Sequence, residues 1–304
     1  MGNHNSVIKR FTHDWLIRFI ELHPFETVFD THMDSTARFG PEQSTFNKIS
    51  PYFSNLLQRY MPDAITDAVF KQKKLFIKLD IVDDDAIKEV PLSSSNKKAV
   101  VIIRSVDFDE SIAGTLTNYY QKRVFWMYET SCFGSSLTPA ELFYLAKHTK
   151  KSLKIYMCSL TETVSFSVIW PCIKHLDSIV LNIKNLDIGE DIKETLLYKP
   201  CEFSADCFSM STNSIAEDII MAFIECFLNC PKFPNYFEWK VVNPKLKNVN
   251  FKQIGEKIYK RMKAAGYVWR SCSKIADHLG GDDNALIMRT ADNFFLLNTD
   301  NVEY

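Results

Sequence analysis

The sequence predicts an α/β fold: parallel strands alternate with helices as an irregular solenoid, after a small helical N-terminal region. In Leu153–Leu160 the first, third, fifth and eighth residues are apolar, and Ile179–Leu186 repeats this spacing. Apolar residues at period two are typical of a strand with one buried edge. Related segments begin 22 to 29 residues apart, an interval typical of stacked supersecondary units.

The amino-acid composition argues against several classes of function. The chain has 304 residues, of which 46% are hydrophobic and 24% charged, so a packed core is expected and wholesale disorder is excluded. The formal net charge is −1, which argues against general binding of a nucleic-acid backbone. Nine glycines supply little material for phosphate-cradling loops. We therefore expect no nucleic-acid partner and no cofactor.

Residues 1–64 form the predicted N-terminal helical region. Asp14 is expected to cap a short helix, and Pro24 ends it and begins a second helix with Phe25. A further helix contains Phe53 and ends at Pro62. The apolar face of the first helix comprises Trp15, Leu16, Phe19 and Ile20.

Residues 65–304 form the predicted repeat domain. Its strands are expected to bury the residues that fit the apolar template. These are Leu75, Ile77, Leu79 and Val82; Ala99, Val101, Ile103 and Val106; Val124, Trp126 and Tyr128; Leu153, Ile155, Met157 and Leu160; Ile179, Leu181, Ile183 and Leu186; Cys201, Phe203, Ala205 and Phe208.

Sequence patterns typical of helix ends lie between the later predicted strands. Thr138–Glu141 is a capping box with Pro139 at the first helical position, and Ser214–Glu217 repeats the device. A basic helix is expected from Phe251 to Ala265, with Gly266 after its end. Two short strands, residues 286–289 and 294–298, are expected to close the domain as a hairpin.

Residues between the apolar places point away from the core and are the candidates for partner binding. Because Val100, Ile102 and Val180 are apolar too, coverage of this second side by helices is the alternative interpretation. The candidate partner-binding residues are Lys78, Asp80, Arg104, Glu129, Lys154, Tyr156, Asn182 and Lys184, with Cys158 at the end of the best-formed segment.

The template resembles the leucine-rich repeat over about residues 75 to 210. With short helices ahead of it, the layout is similar to nematode F-box proteins that carry an F-box-associated, leucine-rich-repeat-like region. Pro24-Phe25-Glu26 stands where that family has a D-P-[FI]-E-like turn, although the usual opening L-P is absent. The resemblance implies a substrate-recruiting adaptor of a cullin-type ubiquitin ligase that docks a Skp-type adaptor. Its docking residues would be Trp15, Leu16, Phe19, Ile20, Pro24 and Phe25.

Groups suited to catalysis or metal binding are sparse. Cys226 and Cys230 stand four residues apart on one helix face, but no CxxC motif or ligand-spaced His pair accompanies them. Buried free thiols in a reducing cytoplasm are the favoured interpretation, without a metal. A hydrolase using Cys132, Cys158 or Cys201 is a minor alternative, so we expect no enzyme.

The first six residues, Met1–Ser6, match an N-myristoylation pattern. Either Gly2 is acylated, or the segment is an unmodified polar start. Acylation favours the alternative function, a peripheral membrane scaffold without enzymatic activity, because one acyl chain gives weak membrane association. The mass of the N-terminal peptide distinguishes the two: a free or acetylated terminus excludes the scaffold.

Overall fold

In the computed structural model the chain forms two compact units, residues 1–130 and 131–304. Both are mixed α/β. The residues that the structure describes are 12–22, 44–71, 74–78, 87–89, 100–121, 124–197, 205–212, 216–230, 233–241, 251–266, 268–269, 285–291 and 294–299.

The first unit begins with helices and continues with strands. Its elements are helix α1 (His13–Leu22), a 3₁₀ turn (Thr45–Lys48), helix α2 (Pro51–Tyr60), strands β1 (Asp63–Lys71), β2 (Lys74–Lys78), β3 (Ile87–Glu89) and β4 (Val100–Asp109), the short helix α3 (Thr117–Tyr120), and the start of β5 (Val124–Phe133).

Helices α1 and α2 form the predicted helical region. The hydroxyl of Thr12, not the carboxylate of Asp14, accepts the first-turn hydrogen bond, from the Trp15 amide at 3.3 Å. Ser50 caps α2 through the Phe53 amide at 3.1 Å. The two helices share one apolar cluster with strand β1, and this cluster holds α1 in place. Its buried members are Leu16, Ile20, Phe53, Leu56, Leu57, Met61 and Ala64.

Strand β1 was absent from the sequence-based prediction, and its presence changes the order of the strands in the first unit. β1 pairs in parallel with β4, while β2 pairs antiparallel with β1 and with β3. The segment at Leu75 is therefore the second arm of a hairpin and not a parallel repeat. Leu75 is buried as predicted, whereas Leu79 and Val82 lie outside the described residues.

Strand β4 buries the described residues that were predicted and others besides, whereas β5 buries the opposite set. In β4, Val101, Ile103 and Val106 are buried as predicted, but Ile102 is fully buried as well, so both faces are covered there. In β5 the assignment of sides is wrong: Phe125 and Met127 are buried, Trp126 and Tyr128 are half-buried, and Val124 is exposed. Every residue of that stretch is large and apolar or aromatic, so period two alone does not select the buried side.

The second unit alternates strands with helices. After the end of β5 its elements are β6 (Ser136–Leu137), α4 (Pro139–His148), β7 (Thr149–Ser165), α5 (Phe166–Ile173), β8 (Ser178–Asp187), α6 (Asp191–Leu197), β9 (Cys207–Thr212), α7 (Glu217–Leu228), β10 (Tyr236–Val241), α8 (Phe251–Ala264), β11 (Val268–Trp269), β12 (Ala285–Ala291) and β13 (Phe294–Thr299).

The sheet of this unit is mostly parallel. Strands β7, β8, β9 and β10 lie side by side in chain order, all parallel. The register aligns Leu153 with Ile179 and Phe208, all fully buried. Of the strand predicted from Cys201, Cys201 and Phe203 lie outside the described residues, Ala205 and Phe208 are buried as predicted, and the described strand β9 begins at Cys207. The predicted C-terminal hairpin is confirmed as β12 and β13, and β13 pairs antiparallel with β10.

Local capping signals predict one of two capping boxes. Thr138 and Glu141 form the capping box in full: the Thr138 hydroxyl accepts from the Glu141 amide at 3.2 Å, and the Glu141 carboxylate accepts from the Thr138 amide at 2.9 Å. The second predicted box is wrong, because the residue before α7 is Ala216 and no side chain caps it. The basic helix α8 ends as predicted at Gly266, whose φ of 92° favours glycine.

An aromatic layer joins the helices to the sheet. Trp170 of α5 and Phe223 of α7 lie with ring centroids 5.8 Å apart, and each packs on Phe208 of β9, at 6.1 and 5.4 Å. Phe223 also packs on Trp239 of β10 at 5.3 Å, and the Trp239 indole N–H donates to the Thr212 hydroxyl at 3.2 Å. Successive helices from α4 to α8 contact one another. These helices therefore cover one face of the sheet.

We expect Phe223→Ala to lower the free energy of unfolding by about 3–5 kcal/mol, because it leaves a cavity among five aromatic rings. Urea unfolding followed by intrinsic fluorescence measures the change. Phe143→Ala is the matched control, since Phe143 is 40% exposed, and its effect should stay within about 0.5 kcal/mol. Equal effects of the two substitutions would contradict the assigned core.

Candidate functional site

The parallel strands carry polar residues in register on the side opposite the aromatic layer. Between the buried positions of β7, β8, β9 and β10, alternate side chains point away from the helices. We call this set the open face. It consists of Ser152, Ser178, Cys207 and Tyr236; Lys154, Val180, Ser209 and Glu238; Tyr156, Met157, Asn182, Ser211 and Lys240; and Lys184 of the next row. Of these, Ser152 and Ser209 are buried, and the other members are half-buried or exposed.

A β-bulge shapes the exposed end of the open face. The register between β7 and β8 shifts between Ile155 and Cys158, so Tyr156 and Met157 together oppose Asn182. Met157 has a φ of 51°, a left-handed conformation that costs a methionine free energy. The bulge is anchored from the preceding loop, where the Gly134 amide donates to the Tyr156 carbonyl at 3.0 Å.

The bulge reverses the predicted burial of Met157 and Cys158. Met157, expected in the core, is 59% exposed, whereas Cys158, expected to face a partner, is fully buried. The Ser135 amide lies 3.4 Å from the Cys158 sulfur. One extra residue in the strand reverses the alternation for all that follows, so the prediction is correct up to Tyr156 and wrong for the next two residues.

Polar groups at the β9–β10 side of the open face contact one another. The Ser209 hydroxyl donates to the Glu238 carboxylate at 2.7 Å. Burial, followed by the nearby Glu238 carboxylate, raises the pKa of Tyr236 to about 12. Burial likewise raises the pKa of the Cys207 thiol. Both groups therefore remain protonated and uncharged at neutral pH.

Three lysines give the open face a positive balance. Lys154 is half-buried, while Lys184 and Lys240 are exposed. Among the described residues, none of the three has a carboxylate within ion-pair distance. The one carboxylate of the open face, Glu238, already accepts a hydrogen bond from Ser209. The face thus presents unpaired ammonium groups beside neutral hydrogen-bonding groups.

Four of the eight predicted partner-binding residues lie on the open face: Lys154, Tyr156, Asn182 and Lys184. The other four belong to the first unit. Arg104 and Glu129 are half-buried in β4 and β5. Lys78 ends β2 and pairs with Ile87 of β3. Asp80 lies outside the described residues.

The predicted adaptor-docking residues divide by burial. Leu16 and Ile20 are buried and hold α1 against α2, so they are structural. Trp15 is 47% exposed and stacks on the half-buried Phe19 at 5.5 Å. Pro24 and Phe25, together with the acylation candidate Gly2, lie outside the described residues.

Several residues of the open face were not predicted from the sequence, among them Ser178, Cys207, Ser209, Tyr236 and Glu238. Cys207 and Ser209 were not candidates because the apolar template reaches β9 only at its last position, Phe208. Strand β10 was recognised, with Phe237 and Trp239 as its apolar places, and these are fully buried. The same alternation would have found Tyr236, Glu238 and Lys240 once β10 was known to lie beside β9.

Groups suited to catalysis stay apart or buried. No cluster of three or more His, Cys, Asp or Glu side chains in the described part of the chain is arranged to hold a metal. Cys132 and Cys158 are buried, and burial raises the pKa of the Cys158 thiol, which disfavours the thiolate. Cys201 lies outside the described residues. Cys230 follows the end of α7 and is disulfide-bonded, so its interpretation as a free thiol on the helix is wrong. Cys226, within α7, is a buried free thiol.

We expect alkaline destabilisation to depend on Tyr236. Its pKa is about 12 in the fold against an ordinary value of 10.0. The phenol therefore contributes full stability below pH 10.0, and this contribution is lost between that pH and about 12, where the unfolded chain deprotonates first. Between about pH 8 and about pH 11, urea unfolding should show a larger loss of the free energy of unfolding for the wild-type chain than for Tyr236→Phe.

Tyr259→Phe, at an exposed tyrosine, controls for removal of a hydroxyl. An equal loss in all three proteins would contradict the expectation.

Comparisons with known proteins leave the site to be interpreted from its own chemistry. No protein-family model matches the chain, and neither a curated protein nor a solved structure matches it. Within the described residues, every helix is too short or too polar to cross a membrane.

Proposed function

We propose that this chain is a protein-interaction module without enzymatic activity, and that its open face binds a protein partner. The observation that carries the proposal is the register of β7 to β10, which collects polar, charged and aromatic side chains on the side opposite the aromatic layer. An exposed aromatic and aliphatic pair, Tyr156 and Met157, surrounded by charges, is the composition of a protein interface.

The open face is proposed as the concave side of an irregular leucine-rich-repeat-like solenoid. In support, β7, β8, β9 and β10 are adjacent in chain order, one helix lies between each pair, and successive helices pack together. Solenoids built in this way present their strand side to partners.

The N-terminal helices are proposed to dock this module onto a cullin-type ubiquitin ligase, as an F-box-like adaptor that recruits a substrate protein. The exposed Trp15 and Tyr52 side chains, on α1 and α2, support docking to a Skp-type adaptor. Exposed tryptophan and tyrosine are residue types that dominate interface energetics. Leu16 and Ile20 support the surface from beneath.

The open face is tested by affinity purification of the tagged full chain from its native cells. Tyr156→Ala with Met157→Gly removes the exposed pair and relieves the left-handed strain at Met157, so the variant should fold. We expect a specific partner to be depleted at least about fivefold. The matched control, Phe143→Ala with Glu110→Gly, removes another exposed aromatic and another left-handed residue. Equal recovery with both variants would overturn the proposal for this face.

The adaptor role is tested by capture on a purified Skp-type adaptor. We expect the wild-type chain to be captured and Trp15→Glu to lose at least about tenfold in affinity, because a charge replaces an exposed anchor. Ile112→Glu changes a residue that is 65% exposed in the same unit and should bind normally. Absence of capture by the wild-type chain would end the adaptor proposal and leave the open face unaffected.

A further inference from the structure

We propose that the open face selects an acidic, extended segment of its protein partner, with Lys154, Lys184 and Lys240 pairing with carboxylates. This inference rests on the proposed function and states which partner chemistry the face accepts. Its basis is charge complementarity. Three lysines on three strands lack ion-pair partners within the described residues, and the single carboxylate of the face is hydrogen-bonded to Ser209.

Several basic residues on the helix side already have acidic partners: Lys257 pairs with Glu217, and Arg261 donates to the Glu225 carboxylate at 2.5 and 2.7 Å. Lys193 pairs with Glu190 and Asp218. On the open face, by contrast, three lysines stand beside a single carboxylate, although the chain as a whole has a formal net charge of −1. Electrostatic complementarity of this kind selects partners and speeds their association.

The spacing of the lysines suits an extended chain. Lys240 lies three strands from Lys154 and two residues farther along the strand direction, a separation of about 16 Å at the usual strand spacing and rise per residue. Extended backbone advances about 3.3 Å per residue, so about five residues of a partner bridge the two. Lys184 lies farther along the strand direction on β8. Acidic side chains distributed along such a segment would reach all three lysines.

Neutral groups between the lysines favour the same ligand. Ser178, Asn182 and Ser211 supply hydrogen-bond donors in the aligned rows. Burial raises the pKa of Cys207 and Tyr236, so neither adds a negative charge that would repel a carboxylate.

Tyr156 and Met157 add an apolar subsite at the exposed end. The bulge holds both side chains outward, at 36% and 59% exposure, and the half-buried Val180 lies in the adjacent strand. Because the backbone conformation at Met157 is already formed, less ordering accompanies binding. The preferred segment therefore combines acidic residues with one large apolar residue.

The probe is a set of fluorescently labelled peptides of about ten residues, built around one phenylalanine and otherwise rich in glutamate, glutamine or lysine. Fluorescence anisotropy with the full chain measures each Kd. We expect the glutamate peptide to bind at least about tenfold more tightly than the glutamine peptide and to weaken as salt is raised, because exposed charges are screened. Equal affinities for the three peptides would overturn the inference.

The three lysines are tested together. A variant that combines Lys154→Gln, Lys184→Gln and Lys240→Gln should bind the glutamate peptide with an affinity about tenfold lower. Each exposed ion pair contributes a factor of about two to five to that affinity. The control carries Lys147→Gln, Lys260→Gln and Lys263→Gln, three exposed lysines of the helix side, with the same change in net charge. Equal weakening in the two proteins would show a general charge effect and overturn the site.

Two further probes separate this ligand from other anions. Tighter binding to a phosphoserine peptide of the same length, or to vesicles of anionic lipid, than to the glutamate peptide would overturn the choice of an acidic protein segment.

The native partner separates the two proposals. If the Tyr156 and Met157 variant loses this partner while the triple glutamine variant keeps it, partner binding stands and acidic selection fails. If both variants keep it, both proposals fail.

Discussion

The aromatic layer between the helices and the strands is the constraint on which the second unit depends. Trp170, Phe208, Phe223 and Trp239 are each no more than 3% exposed, and burial of an aromatic side chain removes about 150–250 Å² from water. Because side chains alternate along a strand, directing the apolar half toward this layer sends the polar half to the opposite side. The open face is thus a consequence of how the core packs.

The bulge in β7 is the local exception to this alternation, and it places the most exposed part of the open face. A methionine with a φ of 51° is conformationally unfavourable. It persists because Leu153 and Ile155 on one side of the bulge, and Cys158 and Leu160 on the other, are all buried. The strain allows two neighbouring side chains, Tyr156 and Met157, to face outward together.

Several sequence-based predictions succeeded or failed according to the range of the interaction that decides them, although the local predictions of an Asp14 cap and of a second capping box were wrong. The capping box at Thr138 and the end of α8 at Gly266 involve neighbours a few residues apart and were correct. Strand β1 was missed because Ala64, Ile65, Ala68 and Val69 recur at a spacing that suits a helix as well as a strand, and it is pairing with β4 that makes this segment a strand. The sides of β5 were reversed for a related reason: residues on both sides are apolar, and only packing distinguishes them.

The sequence by itself determined the alternation of strands with helices, the burial of Ile179, Leu181 and Ile183 in β8, and the placement of Lys154, Tyr156, Asn182 and Lys184 on the side of the strands away from the core. These follow from periodicity within single segments. The tertiary structure alone decided which strands are neighbours, where β7 bulges, and which side of β5 is buried. Each of these depends on contacts between residues distant in the chain, whose free energy no local pattern records. For that reason the aligned rows that join Cys207, Ser209, Tyr236, Glu238 and Lys240 to the predicted residues became visible only in the fold.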